Sequence, residues 1–279
     1  VVMTGGIDLS VPGTISLAAV IMVGVGQRSD DQVGVAILTA LGFAALVGLV
    51  NGILIAGLKL NALIVTLAIG QVVMGRVTAY GRGFPVQSPV PDAWSGLVST
   101  KVLGVSPILW VGLVLTVLFV IAFRYSTAGR RFQVVGANPV ASNVVGVRVN
   151  LSQIMAYVIA AILYGITGLL LAGHQSIPGV AAGSGYLLAP IAAVVIGGAS
   201  LTGGLASPVS TLVAAFFLTG LSQLMSSVGL ATDLQRVVFG LVIIGGMLIS
   251  GDRIIKGVER VLRERRSSKR IERRAKETA

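Results

Sequence analysis

The side chains able to do chemistry are few: ten acids, one histidine and no cysteine in 279 residues. Without cysteine there are no disulfides, iron–sulfur clusters or thiolate metal sites. His174 has neither a cysteine nor a dense acidic cluster near it in sequence, and it reads as a loop-capping residue. An intramembrane hydrolase would need a serine paired with a histidine or lysine base at bilayer depth, or metal ligands at helical spacing, and neither is evident. The sequence therefore offers no catalytic residue, no metal site and no cofactor. Of the ten acids, only Asp8 falls between apolar runs at membrane depth. A proton- or sodium-coupled carrier keeps ionisable groups inside its bundle for the driving ion, and Asp8 has little company in that role. What remains is neutral and polar: Ser10, Asn51, Gln71 and Gln223 could hydrogen-bond an uncharged polar solute along a pathway, or simply join helices together.

Two further features concern motion rather than chemistry. Glycine-interrupted breaks, TGGIDLS and IGGASLTGG, stand in the two halves of the chain, at Thr4 to Ser10 and Ile196 to Gly204. Breaks in related positions point to a transport pathway lined by discontinuous helices. The second feature is the polar stretch from Arg124 to Asn150, which carries Arg124, Arg130, Arg131 and Arg148 and no acid. Within it Asn138 can cap a short helix with Pro139 at the first position, and Ala141, Val144 and Val145 make a small apolar face. Residues 136–147 contain no charge, so a partner docking there would rely on shape and apolar packing, with the arginines serving as topology and headgroup anchors.

The elements that position these residues follow from composition. With 54% hydrophobic residues, 11% charged residues and a mean hydropathy of +0.93, the chain is a polytopic membrane protein. Its apolar runs are continuous rather than alternating, so the fold class is all-α, not a β-barrel. The 37 glycines fit helices that associate in lipid through close backbone approach. Eight hydrophobic segments are expected, at 11–26, 33–58, 62–74, 107–123, 151–173, 186–196, 208–228 and 234–249, with a Gly-, Pro- and Ser-rich loop over 78–106. The opening VVMTGG reads as the end of a helix that begins upstream. Val11 to Gly26 is 16 residues, about 24 Å against a core of about 30 Å, which puts the first break inside the membrane. Gly48, Asn51 and Gly52 share one helix face, expected to meet a neighbour or the pathway.

If the basic C-terminal end is cytoplasmic, alternation places 201–206, 124–150, 59–61 and the N-terminus on the same side, and these segments with the tail hold 16 of the 21 lysines and arginines. Failure of 186–207 to cross would invert everything before it. Residues 1–250 thus form the membrane domain and 251–279 a basic cytoplasmic tail. The tail opens with Ile254, Val258, Val261 and Leu262 at amphipathic spacing, which predicts contact with membrane lipid and not with nucleic acid.

Three stretches together resemble a known family: GGIDLSVPGTISLAA (5–19), GRRFQVVGANPVASNVVGV (129–147) and GYLLAPIAAVVIGGASLTGG (185–204). They are similar, in order, to the signature regions of ribose-type permeases, the membrane subunits of binding-protein-dependent ABC sugar importers. The resemblance runs from Gly5 to about Ile249. It implies a helical bundle of about ten spans, in the bacterial plasma (inner) membrane, with eight of them here. It also implies a second permease subunit, identical or not, two cytoplasmic ABC ATPase subunits, and an extracytoplasmic solute-binding protein. Finally, it implies that Gly136, Asn138, Pro139, Ala141, Val145 and Gly146 belong to a cytoplasmic coupling helix over about 136–147 that sits in a groove of the ATPase. Leu187, Leu188, Ala189 and Pro190 stand where the family often has acids, and Pro12 where it has glycine. Branched-chain amino-acid permeases are relatives with similar breaks, so a sugar and an amino acid both stay open as cargo, alongside a carrier or channel that needs no ATPase.

Overall fold

The structure, a computed structural model, describes residues 1–81 and 89–250; the expected basic tail and residues 82–88 of the expected loop lie outside the described residues. Regular structure among the described residues is helical, apart from a single bridge closing the turn Val102–Val105. After a 3-10 turn at Val2–Thr4 come α1 (Val11–Gly26), α2 (Val33–Gly52), α3 (Ala62–Gly81), α4 (Asp92–Ser99) and α5 (Pro107–Tyr125). Then follow α6 (Thr127–Ala137), α7 (Pro139–Val144), α8 (Val149–Gln175), α9 (Leu188–Ile196), α10 (Pro208–Ser227) and α11 (Thr232–Ser250). Each of the eight hydrophobic segments is a helix. Five stretches are long and apolar enough to cross a membrane, 30–57, 62–81, 107–125, 149–175 and 208–227, with Val11–Gly26 as a shorter apolar helix.

Some boundaries differ from the sequence reading. Helix α2 does not run unbroken to Leu58; its last turn, Ile53–Gly57, widens to a π-helix. Helix α3 continues past Met74 to Gly81, because Val73 and Val77 carry one buried stripe through the next turn. The expected loop 78–106 contains α4, eight residues opened by Pro91 and held by Trp94, whose Nε1 donates to Leu169 O at 2.9 Å.

The chain divides into two compact units, residues 1–216 and 217–279. In the first, α1 is the centre: thirteen of its sixteen residues are buried, and α2, α3 and α8 pack around it. No residue of α5 is fully buried, and its open positions, among them Val114, Val117, Leu118 and Ile121, are available to lipid or another chain. Glycines set the crossings. A Cβ on Gly48 would lie 2.5 Å from Tyr157 O, one on Gly52 2.8 Å from Ile154 Cα, and one on Gly13 2.8 Å from Gly70 O. Helices in lipid gain nothing from burying apolar surface against each other, so this backbone proximity is what holds α2 to α8 and α1 to α3. In the described part of the second unit, Gln235 pins the turn after α10, donating from Nε2 to Ser226 Oγ and Leu230 O, both at 3.1 Å.

Candidate functional site

The first break is held by side chains. Gly5 turns the chain with φ +78°, and residues 5–10 lead irregularly into α1. Ser10 does not cap α1 through its hydroxyl, as its position would allow. Its Oγ instead donates to Asp8 Oδ1 at 2.6 Å, its backbone N–H donates to the same oxygen at 2.9 Å, and Asn51 Nδ2 donates to Ser10 Oγ at 3.0 Å. The Leu9 N–H donates to Thr66 Oγ1 at 2.9 Å. Irregular backbone inside a membrane must find its partners within the protein, and here Thr66 of α3 and Asp8 accept from the Leu9 and Ser10 N–H groups while Asn51 of α2 holds the Ser10 hydroxyl. Asp8 is 7% exposed and Ser10 and Asn51 are fully buried. Asp8 Oδ2 and Asn51 Oδ1 have no hydrogen-bond partner among the described residues. The cluster can therefore accept two further hydrogen bonds from a hydroxyl or similar donor.

Of the five pathway candidates, hydrogen bonds join Asp8, Ser10 and Asn51. Gln71 is on an exposed position of α3, next to Gly70, which packs against Ser10. Gln223 is exposed on α10 in the second unit. His174 is exposed in the last turn of α8. Among the described residues, no three His, Cys, Asp or Glu side chains come together as a metal site.

The second break, after α9, turns on Gly198, Gly203 and Gly204, with φ of +78°, +97° and +86°. It meets the first break directly: Gly204 N–H donates to Met3 O at 2.8 Å, and a Cβ on Gly5 would lie 3.4 Å from Thr202 O. Farther along, the Gly183 N–H donates to Ser16 Oγ at 2.9 Å, tying the segment before α9 to α1. The sequence shows two breaks but carries no sign that they touch.

The uncharged stretch 136–147 is two structures rather than one helix. Gly136 belongs to the end of α6 and is buried. Asn138 is extended (φ −157°) and separates the two helices. Its Oδ1 accepts from Ala141 N at 3.0 Å, Pro139 takes the first position of α7, and Ser142 Oγ donates to Asn138 O at 2.7 Å. Gly146, at φ +80°, ends the segment. Ala141 and Val145 are exposed, and the apolar face extends to Val140, which is 76% exposed beside Val144 at 83% and Val145 at 73%. Val140 escaped the sequence reading although it stands one helical turn before Val144. Arg124, Arg130, Arg131 and Arg148 are all exposed.

A family described as the permease component of branched-chain amino acid transport systems matches residues 1–247. Similar curated proteins include the autoinducer 2 import system permease protein LsrC of Enterobacter sp. (strain 638), 32% identical over 90% of this chain and 73% of that one. The ribose import permease protein RbsC of Escherichia coli (strain K12) is 31% identical over 89% of this chain and 78% of its own. A probable ABC transporter permease protein of Sinorhizobium fredii is 33% identical over 89% and 74%. No solved structure matches the chain.

Proposed function

This chain belongs to the family of ABC importer permease components, and from that premise we propose that it forms the translocation pathway for a sugar or similar small polar solute in a bacterial plasma membrane. Sugar is preferred to a branched-chain amino acid because ribose and autoinducer 2 stand in the names of its similar proteins. The partners follow from the family: cytoplasmic ATPase subunits, a second permease chain, and an extracytoplasmic protein that delivers the solute. The chain itself hydrolyses nothing. The termini and α7 face the cytoplasm in this reading, supported by the excess of lysine and arginine in the segments that alternation places there.

The observation that carries the proposal is α7. It is a capped, uncharged helix whose valines point outward beside a membrane bundle, as expected of a docking face. ATP binding draws the ATPase subunits together, α7 moves with them, and the bundle changes between its two openings. Within the pathway, Asp8, Ser10 and Asn51 offer acceptors for solute hydroxyls as the helices part, and Gln71 and Gln223 are secondary candidates. Replacing Ala141 and Val145 by Asp tests the docking assignment: copurification of the ATPase is lost while the membrane fold and its melting temperature persist. Retained ATPase binding and transport would overturn it.

A further inference from the structure

Gly136 stands where three distant backbone segments meet. A Cβ there would overlap the carbonyl oxygen of Met3 and come within 2.6 Å of Gly204 N, the two atoms already hydrogen-bonded to each other at 2.8 Å. From the other side, a Cβ on Gly203 would lie 2.7 Å from Gly136 O and 3.0 Å from Gly5 N. One on Gly204 would lie 3.1 Å from Ala137 Cα. Both glycine breaks therefore rest on the end of α6, backbone against backbone. Two residues later Asn138 opens α7. Side chains can absorb a displacement by changing rotamer, but close-packed backbone has no such freedom and passes the displacement on.

We propose that Gly136 is a positioning residue of the transport cycle, handing the motion of α7 directly to both glycine-broken segments rather than through the spans α5 and α8. The inference rests on the reading of α7 as the ATPase-coupling helix. It assigns the glycine a role that docking does not need: Gly136 is buried, so it touches no ATPase, yet it fixes how the breaks follow.

The absence of cysteine makes single-cysteine labelling clean. A spin label at Thr202→Cys, an exposed position in the second break, is read in the full transporter with its ATPase subunits, with and without ATP and vanadate. In the otherwise native chain the label's mobility shifts on trapping. With Gly136→Ala the shift disappears while the ATPase still copurifies; the melting temperature falls, because the added Cβ pushes the Met3 and Gly204 backbone away. Gly112→Ala on α5, where an added Cβ meets nothing within 4 Å, leaves the shift intact. Should Gly136→Ala not reach the membrane, Ala137→Val serves instead, since Ala137 is exposed and a Cβ on Gly204 would lie 3.1 Å from its Cβ. A full shift in the variant that is read would overturn the proposal, because the motion would then travel through α5 and α8. An ATPase that never copurifies with the native chain defeats the docking reading first, and this inference with it.

Discussion

Asn51 donates from Nδ2 to the hydroxyl of Ser10 at 3.0 Å, joining the end of α2 to the residue that precedes α1. The hydroxyl in turn donates to Asp8 Oδ1 at 2.6 Å, so an amide, a hydroxyl and a carboxylate form one buried chain. Such a chain fixes the geometry of a break that has lost its regular helical hydrogen bonds. It also explains why a polar amide sits on a buried helix face otherwise made of alanine, glycine and valine.

Replacing Asn51 by Leu removes the donor and is expected to cost about 1–3 kcal/mol, the usual penalty for leaving a buried polar partner unmatched. The detergent-solubilised protein then melts below the native chain. Asn51→Asp brings a second carboxylate to the cluster holding Asp8 and lowers the melting point further. Native-like melting of Asn51→Leu would show that the amide holds nothing together.

The α2–α8 crossing gives a prediction with an internal control. Gly48 allows Tyr157 O within 2.5 Å of a hypothetical Cβ, whereas Gly42 on the same helix has nothing within 4 Å. Gly48→Val therefore forces the helices apart, with an overpacking cost of about 1–3 kcal/mol. Gly42→Val costs little. Paired melting curves read by size-exclusion chromatography check this; equal effects would mean that the close crossing is not what stabilises the pair.

The fold was legible where hydrophobicity decides it. Eight continuous apolar runs became eight helices, because length and polarity alone determine what a bilayer will accept. The Gly48, Asn51 and Gly52 face was legible too, since helical spacing places all three together and all three are buried. Contacts between distant segments were not. Nothing local to Gly136, Met3 or Gly204 announces that they meet, because glycine marks close approach without naming the partner. Helix α4 was hidden for a different reason: Trp94 and Val98 are too few apolar residues to signal a helix until α8 provides the surface they cover.

The cap of α7 sets the next expectation. A six-residue helix has little intrinsic stability, and the Asn138 side chain satisfies one of its free N–H groups. Asn138→Ala should cost about 1 kcal/mol of local order, the usual value of an N-cap, which weakens ATPase affinity roughly fivefold. Asn138→Asp, which keeps the acceptor, restores it. Titration of purified ATPase against the reconstituted permease reads both variants. Equal binding by Asn138→Ala and the native chain would mean that α7 is shaped by its partner rather than by its cap.

Helix α4 is attached to α8 at two points, the Trp94 indole on Leu169 O and Val98 on Gly173, where a Cβ would come within 2.7 Å of the valine side chain. Trp94→Phe retains most of the aromatic packing and removes only the N–H donor. Leu169 O also lies in a helical carbonyl ladder, so the loss is partial, about 0.5–1.5 kcal/mol. Hydrogen exchange over 92–99 should quicken accordingly, while exchange over the middle of α8 stays as in the native chain. Gly173→Ala attacks the same attachment from the α8 side and should quicken the same segment. If both variants leave exchange over 92–99 unchanged, α4 is held by its flanking chain, with Pro91 before it and the Val102–Val105 turn after it, and not by α8.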